Sequence, residues 1–423
     1  MKILFLTPQL PYPPRQGTTI RNFNLIRSLA QEHQIDLFSF LAPGEEFNAD
    51  DHTAENRLRD ICGRVITAPQ PARSASRRIV DTLTASRPDM GLRLESPAAY
   101  ASLLALLEEE TYDLIQAEGI EMAAYGLFAA AHQPQARLIF DDHNAEYLLQ
   151  QRSALVDLRS PLRWPAALYS LIQWAKLRRY EQMVCSRAEA VVAVSEPDRS
   201  ALVQLVPDRL IDVVPNGIDL DEYPYPPPPQ PQAPPATLVF TGKMDYRPNV
   251  DAILWFAQQV LPRIQEQRPG VRLQVVGMNP HRRLERLDGQ SGIDLTGAVK
   301  DVQPYIYGAA VYVVPLRVGG GTRFKVLEAL ASGKPMVSTS LGIEGLNLQD
   351  GRELLIADEL ETFADAVLLL LEDQTSGGKF CSELGKAGRG FVESQFAWEQ
   401  IVPRLERVYQ AVLHQAPIPR ADW

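Results

Sequence analysis

Short continuous apolar runs alternate along this chain with longer stretches in which apolar positions recur every three or four residues. The first kind predicts buried strands and the second predicts helices with one face turned to a core. In the first half the strands are expected at Lys2 to Thr7, Gln34 to Leu41, Gly63 to Ala68, Tyr112 to Ala117, Ala136 to Phe140, Glu189 to Ser195 and Leu210 to Val214. Helices are expected at Thr18 to His33, at Pro97 to Leu107 behind the start signal Ser96-Pro97, at Pro161 to Arg187, and from Glu196. Strand and helix in strict alternation imply a parallel sheet.

At residues 224–235, PYPPPPQPQAPP, eight prolines and no charge interrupt the alternation. Such a run cannot form an internal strand or helix, so it reads as a linker on the surface. A second alternation then begins: strand Thr237 to Gly242, helix Pro248 to Glu266, strands Val271 to Gly277 and Ile293 to Gly297, helix Val302 to Gly308, strand Ala310 to Pro315. A strand at Leu354 to Ala357 and helices at Leu360 to Glu372, Phe380 to Ser394 and Ala397 to His414 complete it. The expected class is α/β, with two Rossmann-like domains. Their expected bounds are 1–212, joined by a returning helix within 397–423, and 213–396.

Two places on this plan carry candidate chemistry. Strand Val311 to Val314 runs into Pro315 and then Gly319, Gly320 and Gly321, followed by a helix with Phe324, Leu327, Leu330 and Ala331 at helical spacing. A glycine loop that opens a helix leaves unpaired backbone N–H groups at a positive dipole end, which suits an anion. Arg323 and Lys325 sit in that first turn, where cations oppose the dipole unless an anion is bound, and Glu328 follows three residues later. A surface helix with a solvated Lys325–Glu328 pair is the plainer alternative.

The other place is Asp141, Asp142, His143 and Asn144, directly after the predicted strand 136–140. Open α/β sheets bind ligands at the carboxyl ends of their strands. A metal site, a helix cap and a catalytic histidine are all open readings, although no third, distant metal ligand is evident from spacing. Gly17 opens the helix after the first strand with Arg21 one turn on, a further place for backbone to meet phosphate, or else a turn glycine beside a surface arginine. No G-x-G-x-x-G follows this strand, which argues against a nicotinamide cofactor.

Charge and cysteine content narrow the function classes. The net charge of −10 disfavours nucleic acid as a partner. Three scattered cysteines, Cys62, Cys185 and Cys381, indicate neither a disulfide framework nor a zinc site, and a reducing cytosol is expected. Met1 to Thr7 turns at once into a proline-rich segment and reads as a strand rather than a signal peptide. Residues 152–187 hold seven basic and two acidic side chains, with Trp164 and Trp174 among them, so peripheral contact with an anionic membrane is expected, against the alternative of a solvated helix face.

The sequence resembles the family 4 glycosyltransferases, retaining sugar-nucleotide-dependent enzymes of GT-B architecture. The resemblance rests on KILFLT and the Gly17 helix, the His143 strand end, VVPNGID at Val213 to Asp219, VFTGKMDYRPN at Val239 to Asn249, LQVVG at Leu273 to Gly277, and GGGTRFKVLEALASGKPMVST. It implies two domains facing across a cleft and transfer of a sugar from a nucleoside diphosphate sugar to a hydroxyl of a sugar or lipid-linked acceptor. Polysaccharide or glycoconjugate synthesis in the cytoplasm, or at the inner face of its membrane, is the implied setting.

It further implies that Lys243, Arg323 and Lys325 face the donor diphosphate and that Glu328 holds the ribose hydroxyls. Gly17, Asn216, Gly217, Gly242, Gly320, Gly321 and Thr322 would line the donor, and His143 would stand at the sugar and acceptor end. Two positions depart from the family's pattern: Gly320 stands where a first glutamate is usual, and Asn249 where a second cation is usual. Asp219 and Asp221 imitate a metal-binding Asp-x-Asp but follow the Asn216-Gly217 turn, so no metal or other cofactor is expected. A sugar-nucleotide epimerase on the same fold and a non-catalytic nucleotide-sugar binding protein are the rival functions.

Overall fold

Two all-parallel sheets, of seven and six strands, organise the computed structural model, which describes residues 1–14, 17–41, 57–158, 161–226, 236–319 and 324–414. The first sheet contains β1 (Lys2–Thr7), β2 (Gln34–Leu41), β3 (Arg64–Pro69), β4 (Leu114–Glu118), β5 (Arg137–Asp142), β6 (Ala190–Ala193) and β7 (Leu210–Val213), in the order 3-2-1-4-5-6-7. The second contains β8 (Thr237–Thr241), β9 (Arg272–Val276), β10 (Ile293–Gly297), β11 (Val311–Val314), β12 (Met336–Ser338) and β13 (Leu355–Ile356), in the order 10-9-8-11-12-13. Each is a doubly wound sheet whose strand order reverses beside its first strand, the crevice where such folds bind ligands.

The chain divides into two compact units: Met1–Asn216 with the chain from Ile401 onward, and Gly217–Gln400. The change of unit therefore comes at Asn216-Gly217, four residues after the expected boundary and ahead of the proline run. Tyr223 is already buried in the second unit, where Arg389 donates a hydrogen bond to its carbonyl, and the Tyr225 ring lies under Arg389 and against Gly333. Linker residues 227–235 lie outside the described residues.

The last helix, Trp398–His414, buries Ile401, Leu405, Val408 and Tyr409 completely, and Tyr409 Oη donates to Gln116 Oε1 of β4. That apolar stripe is the face its periodicity predicts.

Most strands match their predicted runs to within two residues. Helices Ala75–Thr84, Ala123–His132 and Glu146–Leu158 have no counterpart in the pattern. Ala123–His132 is apolar nearly all round, which erases periodicity, and Ala75–Thr84 buries only Thr82. The long helix expected from Pro161 is a 3-10 turn, Pro161–Arg163, followed by Trp164–Arg187. The helix expected at 248–266 contains a π turn at Phe256–Val260, just before Pro262. Proline has no N–H to give the carbonyl one turn back, and its ring crowds that carbonyl, so a wider turn is the local solution.

Candidate functional site

In the first unit β4 and β5 are neighbours in register, with Glu118 paired to Asp141 at their carboxyl ends. Parallel pairing thus brings a residue of one strand end to the cluster at the next. His143 Nε2 donates to Glu118 Oε2 at 2.8 Å and stands 4.0 Å from Asp141 Oδ1. Glu118 is fully buried, and its other oxygen accepts from Gln116 Nε2 at 2.6 Å, so the Tyr409–Gln116–Glu118 chain orients the imidazole from behind. Gly119, at φ +79, lies under the ring: a Cβ there would come within 3.5 Å of His143 Nδ1.

Arg21 is the other anchor of this network. It is almost wholly buried and places Nη2 2.6 Å from Asp141 Oδ2, while Nη1 donates to the carbonyls of Val214 and Pro215 and to Asn216 Oδ1. The reading of Arg21 as a surface residue is therefore wrong. Its guanidinium fork ties the first helix to β5 and to the Asn216 turn, the geometry for which arginine is suited.

Electrostatically, burial pulls the His143 imidazole down, but the hydrogen bond and charge of Glu118, with the charge of Asp141, outweigh it and hold the imidazole above its ordinary value. Burial pushes the Asp141 carboxyl up to about 6, against the pull of Arg21. Glu118, Asp141 and His143 each offer a ligand atom, and these atoms lie within 4.8 Å of one another, so the distant third residue that spacing did not reveal is Glu118. His143 Nε2 and Glu118 are already joined by a hydrogen bond, Asp141 Oδ1 is buried without a hydrogen-bond partner, and the Arg21 cation is seated against Asp141 Oδ2. That donor set suits holding a proton at Nε2 against Glu118.

In the second unit the ends of β8 and β9, which hold the places of β1 and β2 in the first sheet, are built from glycine with a lysine above them. Gly242 follows β8 at φ +148, and Gly277 follows β9 at φ +151. A Cβ on Gly277 would lie 1.7 Å from the Gly242 carbonyl oxygen, and one on Gly242 would meet Asn249 Nδ2 at 2.8 Å and Lys325 Nζ at 2.9 Å. Bare backbone is thus required beneath a fixed ammonium group. Lys325 Nζ donates to Asn249 Oδ1 at 2.8 Å and lies 3.9 Å from the centre of the Phe240 ring. Asn249 Nδ2 in turn donates to the Lys243 carbonyl at 2.9 Å. The asparagine in place of a cation is a bridge that ties Lys325 to the loop after β8.

Glu328, one turn beyond Lys325, accepts from Tyr223 Oη at 3.1 Å. Burial raises its carboxyl, against the pull of Tyr223 and Lys325. Gly319, at φ +107, rests on the Pro248 ring, where a Cβ would come within 2.8 Å. Lys243 itself is exposed, 3.7 Å from Asp245.

The family model described as Glycosyltransferase Family 4 matches residues 15–222, and that described as Glycosyl transferases group 1 matches residues 235–373. Between them they take in both sheets. The chain is a family 4-type glycosyltransferase.

Among proteins similar to this glycosyltransferase is the phosphatidyl-myo-inositol mannosyltransferase of Mycobacterium leprae, 26% identical over 56% of this chain and 62% of that protein. The chain spans between 36% and 62% of the length of the curated relatives it matches. Of solved structures, sucrose-phosphate synthase from Thermosynechococcus elongatus aligns with TM-score 0.70 at 18% identity, covering 98% of this chain and 100% of that one. Anabaena HepE, in complex with UDP and glucose, aligns with TM-score 0.66 at 15% identity, covering 97% and 100%. These likenesses give the glycosyltransferase its GT-B fold.

Of the residues singled out in the glycosyltransferase sequence, His143 and Asn216 join the first unit's network, and Gly242, Lys325 and Glu328 gather at the second unit's strand ends. Gly17 heads its helix in an exposed position. Gly217 faces the Trp398 ring, which a Cβ would approach to 2.6 Å, so its need is for close packing. Asp219 accepts from the Asp221 N–H in a 3-10 turn, as the linker-turn reading expects. Gly320, Gly321, Thr322 and Arg323 lie outside the described residues. Glu118 and Tyr223 are not among the candidates the sequence offers, and Gly277 enters there only as the end of a motif. Glu118 is an acid one residue past a predicted strand end, the same signal that drew attention to His143.

Proposed function

We propose that this glycosyltransferase moves a hexosyl group from a nucleoside diphosphate sugar to an acceptor hydroxyl with retention at the anomeric carbon. The observation that carries this reading is the Lys325 ammonium held over the bare backbone of Gly242. A diphosphate seated there meets a preorganised cation as it leaves with developing negative charge, the arrangement that stabilises a transition state most strongly. Lys243 and Arg323 add charge around the same leaving group, and Glu328 accepts from the ribose hydroxyls. Lysine and arginine then take the part a divalent ion would otherwise play, so no metal or other cofactor is required.

His143, oriented by Glu118, stands at the sugar and acceptor end. Attack comes from the face the diphosphate leaves, and the leaving phosphate accepts the acceptor's proton. The names of similar proteins, a mannosyltransferase in one case and a complex with UDP and glucose in another, support a hexose but differ in the sugar. The acceptor is a hydroxyl on a sugar or on a lipid-linked glycan, reached in the cytoplasm or at the inner face of its membrane during polysaccharide or glycoconjugate assembly.

A panel of nucleotide sugars tests the reading, with thermal shift to find the donor and NMR of the product to read its anomeric configuration. A bound donor stabilises the chain by mass action. The expected product keeps the donor's anomeric configuration, and turnover survives excess EDTA. An inverted product, an isomerised free sugar nucleotide, or full loss of turnover on chelation would overturn the corresponding part.

A further inference from the structure

Helix Ala75–Thr84 is turned inside out. Of its residues only Thr82 is buried, while Ile79 is 63% and Leu83 74% exposed, one turn apart on one face, with Val80 beside them. An amphipathic helix on a water-facing surface hides that stripe against the core.

Helix Trp164–Arg187 packs beside it, and Glu146–Leu158 packs on that second helix. Lys176 of helix Trp164–Arg187 caps this helix, donating to the carbonyls of Asp81, Thr82 and Ala85, and Gln173 Nε2 donates to Thr82 Oγ1. Trp164 and Leu168, also one turn apart, are exposed on that second helix, and Trp164 Nε1 reaches the carbonyl of Leu158 on the third, Glu146–Leu158. Leu155 and Leu158 are exposed there in turn. Most of the large apolar side chains that the described residues expose thus come from three adjoining helices of the first unit.

Charge says what covers them. Several acids on or beside these elements are turned inward and held by arginine: Asp81 by Arg73 and Arg77, Asp157 by Arg163, and the neighbouring Asp89 by Arg73 and Arg78, while Glu181 is buried and accepts from the backbone of Glu146 and Tyr147. Arg77 remains largely exposed on the same helix as Ile79 and Leu83, Arg78 and Arg163 remain about half exposed, and Arg178 and Arg179 are exposed further along the second helix. Apolar side chains with an indole among them, ringed by arginines, match the boundary of an anionic bilayer. A second copy of the same patch would set arginine against arginine across a two-fold axis. Trp174, by contrast, packs against the core and is no part of this surface.

We infer that helices Ala75–Thr84, Glu146–Leu158 and Trp164–Arg187 form a lipid-docking face, with Ile79, Leu83, Trp164 and Leu168 entering the headgroup boundary of an anionic membrane. It gives a physical basis to the peripheral location proposed above, and it does not depend on the transfer chemistry. Among the described residues no helix is long and apolar enough to cross a membrane, so attachment of this kind is interfacial.

Flotation of the full chain with phosphatidylglycerol-containing and pure phosphatidylcholine vesicles, without nucleotide sugar, tests it. The expected result is binding to the anionic vesicles that high salt weakens. I79S/L83S should bind at least about tenfold more weakly, because two apolar side chains no longer enter the lipid. Both positions are exposed, and circular dichroism with a thermal melt checks that the variant is folded. Quenching of Trp164 fluorescence by brominated lipid, absent in Trp164→Phe, provides a second readout. No flotation at low salt, equal flotation of I79S/L83S, or a salt-insensitive dimer dispersed by that variant would each overturn the inference.

Discussion

The two units share a topology over six strands but carry opposite chemistry at the carboxyl ends of their strands. At the carboxyl ends of β4 and β5 stand Glu118, Asp141 and His143, with His143 hydrogen-bonded to Glu118 and Asp141 anchored by a buried arginine. At the ends of β8 and β9 stand Gly242 and Gly277, with an ammonium group above them and little side chain in between. The first is a place to hold a proton; the second is a place to bring an anion against backbone. A doubly wound sheet therefore determines where a ligand is met, and a few residues just past the strand ends determine what is done to it.

The largest effect that would sharpen this contrast is His143→Ala. Transfer should fall by roughly 10³-fold or more, with affinity for the bare nucleoside diphosphate unchanged, because the imidazole positions the sugar and acceptor rather than the diphosphate. Calorimetry of diphosphate binding beside turnover checks it, and a parallel fall in affinity would merge the two sites into one. Lys325→Ala comes next, with turnover down by about 10²-fold and diphosphate binding weakened as well. Near-normal turnover would remove lysine from the leaving-group role.

Glu118→Gln should cost roughly tenfold and also move the pH profile. The carboxylate holds the imidazole above its ordinary value, so with Gln the imidazole loses its proton at lower pH. If neutral His143 is the active form, the acid limb of kcat/KM shifts to lower pH; an unmoved limb means another group titrates. The smallest effect expected is that of Asn249→Ala, about fivefold in donor KM with kcat nearly unchanged, since Lys325 loses its tether but keeps its charge. A change in kcat alone would mean that Asn249 acts on the reaction itself.

Each site was legible in the sequence to a different degree. The glycine and lysine positions of the second unit lie in short motifs, GKMDYRPN and the stretch around Lys325, where spacing along the chain is also spacing in space. Even so, the bridge from Asn249 to Lys325 joins residues 76 apart and has no local signature. The first unit's network is harder to read. Glu118 and His143 are 25 residues apart, and Arg21 and Asp141 are 120 apart. Strand register brings the first pair together, and packing of the first helix on the sheet brings the second.

By itself the sequence determined the two alternating αβ halves, most strand positions, the family and the apolar stripe of the last helix, because these depend on local periodicity and contiguous motifs. The tertiary structure decided three other things. It turned Arg21 inward, since a charged fork can be buried only where an acid and carbonyls from distant segments converge. It paired Glu118 with His143 through the register of neighbouring strands. It also left the apolar side of helix Ala75–Thr84 facing outward, because which side of a helix is covered depends on what packs against it.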